Sequence, residues 1–185
     1  MTAVDVRLDY LAIAARYAAS PEQWPVAPRF NPVDRWYHRL AVADDHEVWL
    51  LTWLPGQGTD LHDHGGSAGA FLVSGGTLTE ETVTAGTLTE ETVTAGTLTE
   101  ETVTAGSPTG ETRSADGRPL VTTRELGDGT GRRFGPRHIH RVTNRSARPA
   151  TSIHVYGPAL ATMTRYRLTA AGLEIRTVEA AGVQW

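Results

Sequence analysis

Apolar residues first fall into a regular period over residues 5–19, where Val6, Leu8, Leu11, Ala12, Ala15 and Ala18 lie near one stripe of a helix. Ser20-Pro21-Glu22-Gln23 carries the start signal of a second, short helix, with Ser20 as cap and Pro21 in the first turn. Pro25, Pro28 and Pro32 stop any continuation. From Arg35 onward the period changes to two. Arg35–Val42 and Glu47–Leu54 flank Ala43-Asp44-Asp45-His46, a turn signal that predicts a hairpin. Pro55-Gly56-Gln57-Gly58 reads as a loop, followed by strands over Thr59–His64 and Ala70–Ser74. Leu120–Leu126, His140–Asn144, Thr151–Tyr156, Thr164–Leu168 and Leu173–Val178 are the later strand candidates. Many short strands after a helical start predict an all-β class with N-terminal helices, built as a small sandwich or barrel. Residues 1–32 are then a helical segment packing on the barrel, and 33–185 are the β domain.

One segment departs from this pattern. Gly76–Ala85, Gly86–Ala95 and Gly96–Ala105 are three identical copies of Gly-Thr-Leu-Thr-Glu-Glu-Thr-Val-Thr-Ala. The unit is too short for a solenoid, and its Thr and Val content favours strand. A period of ten is even, so a slip by one copy leaves every side chain on its original face. Perfect identity points to a recent tandem duplication. The first copy follows the Gly75-Gly76 turn and is expected to form the next barrel strand over Thr77–Thr84. Gly86–Ala105 is expected to be an extruded insertion, because long surface insertions cost little.

Composition narrows the possibilities. At 185 residues the chain is one domain by length, and a net charge of −4 gives no basic footprint for nucleic acid. No apolar run reaches the length of a membrane helix, and no signal-peptide pattern begins the chain. The absence of cysteine excludes disulfides and thiolate metal ligands. A cytoplasmic monomer without nucleic-acid or membrane partners is the expectation.

The chemistry concentrates in His62-Asp63-His64, His140 and Ser152-Ile153-His154-Val155-Tyr156. His62 and His64 leave one face of a strand roughly 7 Å apart, close enough to share a metal ion, while Asp63 points the other way. A histidine from a later strand completes a facial set. Ile153 and Val155 make an apolar face, and Ser152, His154 and Tyr156 line the opposite one. A three-histidine site has two readings from its residues. One is zinc with a water of lowered pKa, and the other is a variant of the non-heme iron facial triad. His138 lies two residues before His140 on the same face and competes for the ligand role. His38 and His46 read as solvent-facing hairpin residues.

Two segments resemble a known family. Pro55-Gly56, Leu61-His62-Asp63-His64-Gly65-Gly66-Ser67-Ala68-Gly69 and Val73-Ser74-Gly75-Gly76-Thr77-Leu78 resemble the first cupin motif of the bacterial cysteine dioxygenases. His140-Arg141-Val142-Thr143-Asn144 and Ser152-Ile153-His154-Val155-Tyr156-Gly157-Pro158 resemble the second. The match runs over roughly residues 33–160, and the glutamate of many other cupins is missing from the first motif, as in the three-histidine thiol dioxygenases.

The resemblance implies a jelly-roll-like cupin β-barrel with Fe(II) on His62, His64 and His140. It implies a relay of Ser152, His154 and Tyr156, and a substrate carboxylate held by Arg39 with Tyr37 beside it. His140 is favoured over His138 because it sits in the family's His-Arg-Val pattern. The implied reaction adds both atoms of O2 to the sulfur of L-cysteine, giving cysteine sulfinate. The alternatives are 3-mercaptopropionate or another small thiol as substrate, or a non-catalytic metal-binding cupin. In one respect the chain departs from the animal enzymes, which link a cysteine to the pocket tyrosine; Gly69 stands at that cysteine's position, so Tyr156 is a free phenol.

Overall fold

The computed structural model describes residues 8–84, 108–112, 120–169 and 172–180. Helix α1 spans Tyr10–Ala18, and a single 3-10 turn follows at Pro21–Gln23. The strands are β1 (Tyr37–Val42), β2 (Glu47–Trp53), β3 (Leu61–His62), β4 (Ala68–Gly75), β5 (Thr77–Thr84) and β6 (Pro108–Thr112). They continue with β7 (Leu120–Gly127), β8 (Gly131–Phe134), β9 (Ile139–Thr143), β10 (Ala150–Gly157), β11 (Thr162–Thr169) and β12 (Gly172–Ala180). They form two antiparallel sheets, ordered β1-β2-β10-β4-β8 and β12-β11-β3-β9-β5-β7-β6. This is the cupin barrel, a double-stranded β-helix with an α-helix laid on one outer face.

Alternation along β10 explains the layering. Ile153 and Val155 turn outward and pack with Val48, Leu50, Ala70 and Leu72 against Leu11 and Ala14 of α1. Tyr156 turns inward, into the core between the sheets with Trp53, Phe71, Val73, Leu78, Leu126, Phe134 and Val142. Asp9 starts α1 where its carboxylate accepts hydrogen bonds from the backbone of Leu11 and Ala12, at 3.1 Å each. The same carboxylate holds Arg133 of β8 at 2.9 Å, which fastens the start of the helix to the sheet. Leu8 therefore precedes the helix, and residues 5–7 of the expected helical stretch lie outside the described residues.

The β1–β2 hairpin closes over residues 43–46 as its turn signal predicts, with Ala43 N–H donating to the carbonyl of His46 at 2.8 Å. Two details differ. His46 is not solvent-facing: its side chain is 15% exposed, with Nδ1 2.6 Å from Asp45. His38 is half-buried, stacked at 6.0 Å on Trp36. The histidine strand is shorter than expected, with Leu61–His62 alone in the ladder. Chain direction changes just beyond it, at Gly65 and Gly66, both with positive φ.

The first repeat copy supplies β5 over the span expected of it. Its entry needs Gly76, whose φ is +80° and where a Cβ would meet the carbonyl oxygen of Pro149 at 2.6 Å. β5 lies between β7 and β9, inside its sheet rather than at an edge. The expected extrusion of Gly86–Ala105 lies outside the described residues. Strands β6 and β8 were not among the candidates read from the sequence.

Candidate metal centre

His62 and His140 are direct partners across β3 and β9, so the ladder itself places two imidazoles side by side. His64 joins them from the turn after β3. The three ring centroids stand 5.0, 4.8 and 5.1 Å apart, and one nitrogen from each ring lies within 4.8 Å of the others. All three side chains are buried. Burial is the main cause holding each imidazole below its ordinary value, with neighbouring histidine charge adding to it at all three. Neutral imidazoles are the form that ligates metals.

The hydrogen bonding around the triad fits a metal. Nδ1 of His62 is 2.9 Å from the carbonyl of Asp60, and Nδ1 of His140 is 2.7 Å from Glu80. Each ring thus has its Nε2 left to offer. Both nitrogens of His64 are buried without a hydrogen-bond partner among the described residues. A buried imidazole in that state is costly unless something else binds it, and a cation is the group that three converging lone pairs suit. Asp63 faces away, accepting hydrogen bonds from Gly65 N, Thr164 N and the Tyr166 hydroxyl.

Beside the triad, Ser152, His154 and Tyr156 form a connected line. Trp53 Nε1 donates to Ser152 Oγ at 2.9 Å. Ser152 Oγ is 2.9 Å from His154 Nε2, and His154 Nδ1 is 3.1 Å from the Tyr156 hydroxyl. Since the indole can only donate, Ser152 turns its proton to Nε2, and Nδ1–H donates to Tyr156. The reverse arrangement would leave the buried Ser152 hydroxyl proton without an acceptor. Tyr156 is then free to donate its own proton into the cavity. Burial raises the phenol above its ordinary value, and burial holds His154 neutral.

A cavity of about 40 Å³ lies between these groups, lined among others by His62, His140, His154, Tyr156, Tyr37, Arg35 and Arg165. Arg39 is not part of this lining. It leans across Trp49, 5.5 Å from the ring, toward the buried carboxylate of Glu47 at 3.5 Å, and its side chain is 52% exposed. A bulge between Arg39 and Ala41 interrupts the strand there. The expected carboxylate anchor, Arg39, therefore lies outside the cavity lining, with its guanidinium paired to Glu47.

Arg35, just before β1, takes the inward place. Its guanidinium sits 4.7 Å over the Trp53 ring, and its Nε is buried without a hydrogen-bond partner. Burial lowers it to about 10, which still leaves it charged near neutrality. Arg165, on the far side, is already matched by Glu179 at 2.8 Å and Asp60 at 3.8 Å. Sequence reasoning missed Arg35 because Tyr37-His38-Arg39 fitted the expected Tyr-x-Arg pattern, while Arg35 stands at the same spacing on the other side of Tyr37. Glu80 was missed because it lies in the repeat, read for its strand propensity rather than its chemistry.

Gly69 pairs with Tyr156 across β4 and β10. A Cβ there would meet the Val155 carbonyl oxygen at 2.2 Å and the Phe134 ring at 2.8 Å, so the backbone leaves no room for a side chain.

The model of the family described as cysteine dioxygenase type I matches residues 1–168. No curated protein matches the chain. Among solved structures, the protein TT1209 from Thermus thermophilus is 20% identical, with 71% of this chain and 90% of that one covered at a TM-score of 0.45. An uncharacterized conserved protein with a double-stranded β-helix domain from Klebsiella pneumoniae is 16% identical, with 80% and 90% covered at 0.44.

Proposed function

The chain belongs to the cysteine dioxygenase type I family, and on that premise we propose that it adds both atoms of O2 to the sulfur of L-cysteine, using Fe(II) held by His62, His64 and His140. The family makes it a thiol dioxygenase, an oxidoreductase acting on a small molecule and O2. The observation that carries the finer reading is one cavity lined by His62 and His140 of the triad, by His154 and Tyr156, and by Arg35, whose buried Nε has no hydrogen-bond partner among the described residues.

His62, His64 and His140 would hold Fe(II), which when bound would supply the redox chemistry that couples a thiol to dioxygen. The protein's residues do the rest. Arg35 binds the substrate carboxylate: a half-buried cation with no carboxylate partner among the described residues gains from an anion, and the planar guanidinium suits a two-point contact. Tyr37, whose ring is 6.0 Å from that of Trp49, forms the wall beside it. Tyr156 donates a hydrogen bond to the reacting oxygen, and its raised pKa keeps that proton in place. His154 and Ser152, held in turn by the Trp53 indole N–H, fix the phenol in this orientation. Phe71, stacked on His154 at 5.1 Å, and Phe134, stacked on His64 at 4.6 Å, keep water from the inner wall.

Anaerobic loading with Fe(II), followed by a thiol panel and mass analysis of products, tests this reading. A gain of two oxygen atoms on cysteine is expected. Conversion of 3-mercaptopropionate in preference to cysteine would keep the chemistry and replace the substrate.

A further inference from the structure

His140 stands between two groups of residues. In front of it are His62 and His64. Behind it, on the β5 side, Glu80, Arg132 and His138 form a second buried cluster. The Glu80 carboxylate is 1% exposed. One oxygen lies 2.7 Å from His140 Nδ1 and 3.3 Å from His138 Nε2, while the other lies 3.2 Å from Arg132 Nε. β5 and β9 set Glu80 opposite Val142 and Thr82 opposite His140, so the glutamate reaches its histidine along a diagonal of the ladder.

We infer that Glu80 is a positioning residue for the metal centre: by accepting Nδ1–H of His140 it fixes which nitrogen that ring offers and the direction in which it points. The inference rests on the three-histidine reading of the site. The ligands differ in what stands behind them. His62 is backed by the neutral carbonyl of Asp60, and His64 has no hydrogen-bond partner among the described residues, so within that set His140 alone of the three is backed by a carboxylate. An anionic acceptor fixes the tautomer and makes the imidazole a stronger donor to a metal. Arg132 balances the buried charge, and His138 holds the other side of the carboxylate while stacking on Phe134 at 5.4 Å. Glu80, His138 and His140 also come within ligand distance of one another. The Arg132 guanidinium against the same carboxylate disfavours a second cation there.

A complication comes from the repeat. Glu90 and Glu100 hold the place of Glu80 in the second and third copies. One copy in β5 can therefore stand for another without changing any side chain. The test uses the full chain carrying E80Q, E90Q and E100Q together. Co(II) is titrated into metal-free protein against a chelator, with its visible absorption band as the report of coordination. The expected result is a Co(II) Kd raised about 10- to 100-fold, with an altered band. The E90Q/E100Q chain, which keeps Glu80, should behave as the parent. Should the triple variant fold poorly, the E80L/E90L/E100L/R132M chain removes both buried charges together, and its affinity should stay low although its fold is recovered. Parent-like affinity and spectrum in a folded chain lacking all three glutamates would overturn the inference while leaving the triad intact. Failure of the parent itself to bind Co(II) would overturn both together.

Discussion

The guanidinium carbon of Arg35 sits over the Trp53 ring, 4.7 Å from its centroid. That contact holds a half-buried positive charge at the cavity wall while Trp53 Nε1 donates to Ser152. One indole therefore supports both the proposed anchor and the proposed relay. Arg35→Gln should raise KM for cysteine about 10- to 100-fold, the scale of a charge-assisted hydrogen bond. Steady-state rates with cysteine and cysteamine measure it, because cysteamine has no carboxylate to lose. Arg39→Gln should leave KM unchanged and lower the melting temperature, since it strips the ion-pair partner from buried Glu47. The opposite pattern would return the anchor role to Arg39.

Tyr156→Phe should retain metal and substrate binding but reduce turnover, or consume O2 without forming an equal amount of product. The phenol is the end of the Ser152–His154 line that faces the cavity. Parallel measurement of O2 uptake and product decides it, and full coupling in the variant would assign the hydroxyl a structural role.

Acid should destabilise the metal-free protein. Burial holds His62, His64 and His154 well below the ordinary value of 6.5. Below pH 6.5 the unfolded chain takes up protons that the folded chain does not, so unfolding gains free energy as pH falls, until the folded values are reached. Each such histidine contributes a slope of up to about 1.4 kcal/mol per pH unit. Urea unfolding between pH 8 and pH 5 should show this loss, and His154→Gln should make the slope shallower. A flat profile would mean that these imidazoles are not buried neutral.

Deletion of Gly86–Ala105 should leave cysteine turnover and melting temperature close to the parent values, because the first copy already supplies β5 between β7 and β9. Calorimetry of the shortened chain checks it, and a large loss would show that the further copies are built into the barrel.

Much of the architecture was legible because one face of most strands is buried. Alternation in Ser152–Tyr156 separated the helix-packed face from the cavity face, and the turn residues 43–46 placed the first hairpin. Strand β8, Gly131–Phe134, was not legible: it is four residues long, carries two arginines and follows a turn, so its period is hidden. The triad could be named because His62, His64 and His140 stand in a matched motif. Arg35 could not, since what distinguishes it is burial over Trp53, a contact between residues 18 positions apart. Glu80 shares that fate. Its sequence neighbours are threonines and another glutamate, and its importance appears only when β9 lies alongside β5.

The central claim is that the histidine triad turns this cupin into an iron-dependent cysteine oxygenase. Protein freed of metal and reloaded with Fe(II) should be followed in an oxygen electrode as cysteine is added, with cysteine sulfinate measured in the same sample. The account predicts uptake that begins only with cysteine, one sulfinate for each O2 consumed, and loss of both in His64→Ala. Absence of cysteine-dependent uptake in the Fe(II)-loaded parent, or uptake undiminished in His64→Ala, would contradict it.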